Sequence, residues 1–96
     1  MSIYRQNVPV EHYQEITAGR IISVAPCRSG SSGAFDLWYE NDSADTQGLY
    51  VFGTGHPTPW DGWTRHAWNF IGTVVTPSDL VWHVYTGPIE GEAIAV

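Results

Sequence analysis

The sequence predicts an all-β fold: a small single-domain antiparallel sandwich or barrel of about seven short strands. Three observations carry that expectation. Short runs rich in β-branched and aromatic residues recur along the chain, separated by Gly, Pro, Asn, Asp and Ser. Phe35, Leu37 and Tyr39 alternate strictly with Asp36, Trp38 and Glu40, the period of two that a pleated strand imposes. No segment sustains the apolar spacing of an amphipathic helix long enough to be stable.

The elements follow in order. Residues 2–7 extend as a first strand, and Val8-Pro9 breaks it. Residues 11–16 fit a helical face through Val10, Tyr13 and Ile16, and fit a strand equally well. The segment is too short for an independent helix, so it is read as a strand. Thr17-Ala18-Gly19 is a turn. Residues 20–27 form a strand through Ile21, Ile22 and Val24. Pro26 cannot donate to a ladder, so the strand ends there or its end lies at a sheet edge. Residues 28–33, Arg-Ser-Gly-Ser-Ser-Gly, are a hairpin loop. Residues 34–40 alternate, with the Asp36 face expected to be wet and Trp38 partly exposed. Residues 41–46 are an acidic turn. A strand over 49–53 ends at Gly53-Thr54-Gly55, which is read as a tight turn; a phosphate-binding loop would lead into a helix, and none follows.

Two more strands, at 70–75 and 80–85, are joined by Thr76-Pro77-Ser78-Asp79, with proline preset for the second turn position. Symmetric closure pairs Val75 with Leu80, Thr73 with Trp82 and Ile71 with Val84, and on the other face Val74 with Val81, Gly72 with His83 and Phe70 with Tyr85. Both faces are apolar, which predicts a central hairpin. The domain is expected to span residues 1–88, with 89–96 a frayed tail.

Composition narrows the function. Ninety-six residues with net charge -6, four Arg and no Lys disfavour nucleic acid and anionic membrane as partners. The single cysteine, Cys27, cannot form an intrachain disulfide, and it is read as a small core residue without activation. Without an apolar signal core or spanning segment, the expected setting is a reducing cytoplasm. Five Trp, five Tyr and three Phe exceed what one small core holds, at about 150–250 Å² each.

No catalytic constellation and no cofactor motif emerges, so the chain is read as a non-enzyme. His56, His66 and His83 with Asp61 match no metal-ligand spacing, and no metal site is assigned. His83 is read as a core histidine bonded to a carbonyl. The long stretch from Thr54 to Asn69 is different: it carries Trp60, Trp63 and Trp68. Unstructured loops beyond about 12 residues are usually functional or disordered, and disordered ones are poor in aromatics. Trp60, Trp63 and Trp68, with His56 beside them, are the candidate binding residues; folding back as a cap is the alternative. Phe70, Val81 and Tyr85 are candidates for self-association as a homodimer, because the other strands supply too few apolar residues to cover both hairpin faces.

The runs Phe52-Gly53-Thr54-Gly55-His56-Pro57, Phe70-Ile71-Gly72-Thr73 and Leu80-Val81-Trp82-His83-Val84 together resemble a family of short bacteriophage proteins without an assigned activity. The segments around Leu37-Trp38 and Ile21-Ile22-Ser23-Val24 are similar too. The aromatic loop departs from the pattern by its length. The resemblance implies a phage product acting in the host cytoplasm or in the virion. Its partner would be a host or phage protein, or its role structural in the particle. A module that stacks a small ligand on its aromatics is a third reading.

Overall fold

A computed structural model of the chain describes residues 2–41, 46–58 and 67–89, Asn41 by its backbone alone. Seven strands run in order: β1 (Ser2–Pro9), β2 (Tyr13–Thr17), β3 (Ile21–Pro26), β4 (Ala34–Asn41), β5 (Thr46–Gly53), β6 (Asn69–Val75) and β7 (Val81–Gly87). They form two antiparallel sheets, β1-β4-β3 and β2-β5-β7-β6. The sequence predicts an all-β sandwich or barrel, and the observed architecture is the two-sheet sandwich.

Alternation explains how the two sheets bury each other. Phe35 and Leu37 on β4 meet Leu49 and Val51 on β5, Val74 on β6 and Val84 on β7 in one core. Phe35, Leu37, Leu49 and Val84 are fully enclosed. Val8, Ile16, Ala18 and Ile21 complete the cluster. β3 packs closely on β6 because Gly72 faces inward: a Cβ there would lie 2.9 Å from Val24 Cγ2. Among the described residues no helix is long and apolar enough to cross a membrane.

Several expectations are corrected. β1 continues through Pro9, opposite Ala34; the missing N–H is tolerated because β1 is an edge strand. The last hairpin is not central as a unit, since β6 is the edge of its sheet and only β7 is flanked on both sides. Its register also differs by one residue at the turn: Val75 pairs with Val81, Val74 with Trp82 and Thr73 with His83. The cause is Asp79, which takes a φ of 63°. Asp79 N–H donates to Thr76 O and Thr76 N–H to Leu80 O. This is a turn closed by a left-handed residue, which lengthens the loop by one. A bulge at Ile71 then restores the expected Phe70–Tyr85 pair.

The Asp36 face is not wet: Asp36 is 1% exposed. It accepts from Arg5 Nη1 at 3.1 Å and Asn7 Nδ2 at 3.2 Å. Trp38 is half-buried, with the Arg28 guanidinium 5.4 Å from its ring centroid. Cys27 is not in the core. It lies half-buried just beyond β3, with Asn7 Nδ2 at 3.1 Å and Ser29 Oγ at 3.0 Å from its Sγ.

Candidate functional site

The outer face of the four-stranded sheet carries a row of aromatic rings. Leu49 and Val51 point into the core, so Tyr50 and Phe52 point outward. Tyr13 pairs with Tyr50, Tyr50 with Tyr85, and Tyr85 with Phe70. One aromatic from each of β2, β5, β7 and β6 therefore stands at the same level, crossing the whole sheet. Ring centroids are 4.9 Å apart for Tyr13–Tyr50 and 5.3 Å for Phe70–Tyr85, within the range of favourable edge and offset contacts. Phe52 ties a second level to the first, 5.8 Å from Tyr85, and the His12 ring meets it edge-on at 5.3 Å.

Exposure changes across the row. Tyr50 and Phe52 are buried, Tyr13 and Tyr85 half-buried, and Phe70 is 57% exposed at the β6 edge. Trp68 lies on the same face: its ring is 4.4 Å from Tyr50, and it covers Gly87, where a Cβ would sit 2.6 Å from Cε3. Gly87 is thus the gap in β7 that admits the indole. Tyr50 Oη donates to Pro88 O and fixes the following chain against the row.

His56 is elsewhere. Gly53 O accepts from His56 N–H at 3.0 Å, and Gly55 has φ 86°, the geometry of a type II turn that requires positive φ at its third residue. The tight-turn reading of Gly53-Thr54-Gly55 matches this geometry. The His56 ring folds onto Gly53 and its Nδ1 accepts the Gly53 N–H at 3.1 Å. In the neutral ring the proton is then on Nε2. Gly53 and Gly48 are five residues apart on β5, and Gly48 pairs with Gly87 under Trp68. At about 3.4 Å per residue, roughly 17 Å separates Gly53, on which His56 lies, from Gly48, so His56 and Trp68 sit toward opposite ends of β5 and do not form one site. Trp60 and Trp63 lie outside the described residues.

Phe70, Val81 and Tyr85 do share the outer face. His83 stands between Val81 and Tyr85 on β7, with Thr54 Oγ1 2.8 Å from Nε2 and Thr73 Oγ1 3.0 Å from Nδ1. It is a surface histidine clamped by two hydroxyls, where the sequence suggests a core one bonded to a carbonyl. Among the described residues no group of three His, Cys, Asp or Glu is placed to hold a metal ion; His66 and Asp61 lie outside those residues.

Other polar places lie elsewhere among the described residues. Around Asp36, burial by itself raises the carboxyl pKa, but the Asn7 and Arg5 hydrogen bonds and the Arg5 charge outweigh it and hold the group below its ordinary range. The hydrogen bonds of Ser29 push the Cys27 thiol down as well, so the thiol is more acidic than the sequence suggests. A cleft of about 280 Å³ opens between the sheets at Arg20, Ile21, Gln47, Asn69, Ile71 and Thr86. Gln47 spans its wall by donating to the carbonyls of Ala18 and Gly19.

Tyr13 and Tyr50 are the members of the row that sequence reading missed. Both lie in expected strands, but their alignment depends on pairings between distant segments. No curated protein and no solved structure matches the chain. Residues 1–94 match the family described as a domain of unknown function (DUF7352), and the chain belongs to that family.

Proposed function

We propose that the chain is a non-enzymatic protein-binding module, and that the exposed end of the aromatic row is its contact surface. The observation that supports this is the gradient along the row. Buried Tyr50 and Phe52 form a rigid base, and Phe70, 57% exposed, stands at its outer end beside Tyr85. Rigid aromatics on a pre-organised surface bind at low entropic cost. Thr73 and His83 add hydroxyl and imidazole groups beside them. The resemblance to short bacteriophage proteins supports a host factor as the partner, with a role in the virion as the alternative setting.

The test is capture from host lysate with four immobilised proteins: wild type, Phe70→Ala/Tyr85→Ala, Trp60→Ala/Trp63→Ala, and Ile3→Ala as a control on the opposite sheet. A partner retained by wild type and Ile3→Ala but lost from the Phe70/Tyr85 variant is the expected result. Equal retention by all four overturns the reading. A small ligand stacked on the rings is a second reading favoured by the same row. Tryptophan fluorescence that stays flat against a saccharide and nucleobase panel removes it.

A further inference from the structure

Each sheet has two edge strands, and three of the four are blunted. β1 carries Arg5 and ends in Pro9, β2 is five residues long and carries Glu15, and β3 is bulged and ends in Pro26. Charge, brevity, bulges and proline are the usual protections of an open edge. β6 reads Asn-Phe-Ile-Gly-Thr-Val-Val, with neither charge nor proline. Its one irregularity is the bulge at Ile71, which leaves 72–75 regular.

The hydrogen-bond alternation of β6 can be followed from the turn. Thr76 N–H bonds to Leu80 O, so Thr76 bonds toward β7. In an antiparallel ladder the direction alternates residue by residue. Val74 and Gly72 therefore also bond toward β7, opposite Trp82 and Val84, while the N–H and C=O of Val75 and Thr73 point away from the sheet. Among the described residues, the backbones of Thr73 and Val75 make no hydrogen bond outside the strand ladders.

Charge restricts where a second copy can bind. With a net charge of -6, two copies repel each other at most surfaces. β6 and β7 together contain no charged residue, so this edge is where a second copy can approach without placing acid against acid. Exposed Phe70 and Val75 flank it and gain cover on approach.

We propose that β6 is the seam of a two-fold homodimer, in which β6 pairs antiparallel with β6 of a second copy, Thr73 opposite Val75 and Val74 opposite itself on the axis. Each Thr73–Val75 pair exchanges both of its N–H···O bonds, and the two four-stranded sheets become continuous. The seam uses the backbone edge rather than the ring face, and of the aromatic contact surface proposed above it covers only Phe70. Only residues 72–76 can pair in this register, because Pro77 has no N–H and Ile71 is bulged. The interface is smaller than the usual 1,200–2,000 Å² of a stable complex, which points to dissociation in the micromolar range or weaker, about 1 µM to 1 mM.

Light scattering across a concentration series should show the mass rising from 10.7 kDa toward twice that value. Val75→Pro removes an outward N–H without removing a β6–β7 bond, and should stay at monomer mass with an unchanged circular dichroism spectrum. Amide exchange of the wild type needs no variant. Thr73 and Val75 should exchange about tenfold more slowly at high than at low concentration, while Gly72 and Val74 stay protected throughout. A monomer mass held at about 1 mM, a Val75→Pro protein that is folded and as dimeric as wild type, or concentration-independent exchange at Thr73 and Val75 would each overturn the proposal. If Val75→Pro fails to fold, the amide exchange decides alone.

Discussion

Asp36 shows how far one residue can depart from its sequence pattern. Its neighbours on β4 alternate as a half-wet strand should, yet the carboxylate is 1% exposed. Arg5 and Asn7 of β1 reach it from the adjacent strand, and a charged hydrogen bond contributes about 1.5–3 kcal/mol. Because its folded pKa is depressed below the ordinary 3.8, its stabilisation is fully present above that value. It is lost as pH falls through the lower folded value. Asp36→Asn should therefore be less stable than wild type near pH 7, by about 1–3 kcal/mol in urea denaturation. The difference should narrow as pH falls below 3.8; a constant difference across pH would show that the charge of Asp36 is not what matters.

At the scale of elements, the β6–β7 hairpin is governed by its turn. Asp79 occupies the left-handed region with φ 63°, which costs an ordinary L-residue about 1–2 kcal/mol and an aspartate less, through its short polar side chain. Asp79→Gly should be neutral or stabilising, and Asp79→Val destabilising by about 1–2 kcal/mol, measured by thermal unfolding. The register is the reason this position matters. A symmetric four-residue closure would put Val74 on the outer face and Thr73 in the core. The structure instead buries Val74 at 1% exposure and gives Thr73 to His83.

For the whole molecule, charge and edge act against each other. Ten acids against four Arg keep copies apart, while the proposed pairing at the neutral β6 edge would draw them together. Raising ionic strength from about 0.01 M to about 0.15 M shortens the screening length from about 30 Å to about 8 Å. Association through an uncharged strand should then strengthen, and strengthen again as pH approaches the pI near 4.8. Sedimentation velocity at fixed protein concentration reads both trends. Association that weakens with salt would mean that opposite charges, not β6, hold the copies.

The class and number of elements follow from local sequence. Side-chain period, β-branching and turn residues act within a few positions, so all seven strands were legible, most to within one to three residues. The Gly53-Thr54-Gly55 turn and the sharing of one face by Phe70, Val81 and Tyr85 were legible for the same reason. Which strands neighbour one another is set by long-range packing. β1 beside β4 and β2 beside β5 join segments far apart in the chain, and their registers depend on burial summed over both sheets rather than on local preference. Apart from the hairpin register, which the local Asp79 turn sets, the main misreadings lie at that level. Asp36 is dry because β1 covers it, His83 is clamped because Thr54 follows β5, and β6 is an edge because β7 pairs with β5. The aromatic row exists for the same reason: Tyr13, Tyr50, Tyr85 and Phe70 are unremarkable in their own strands and become one surface only when four registers agree.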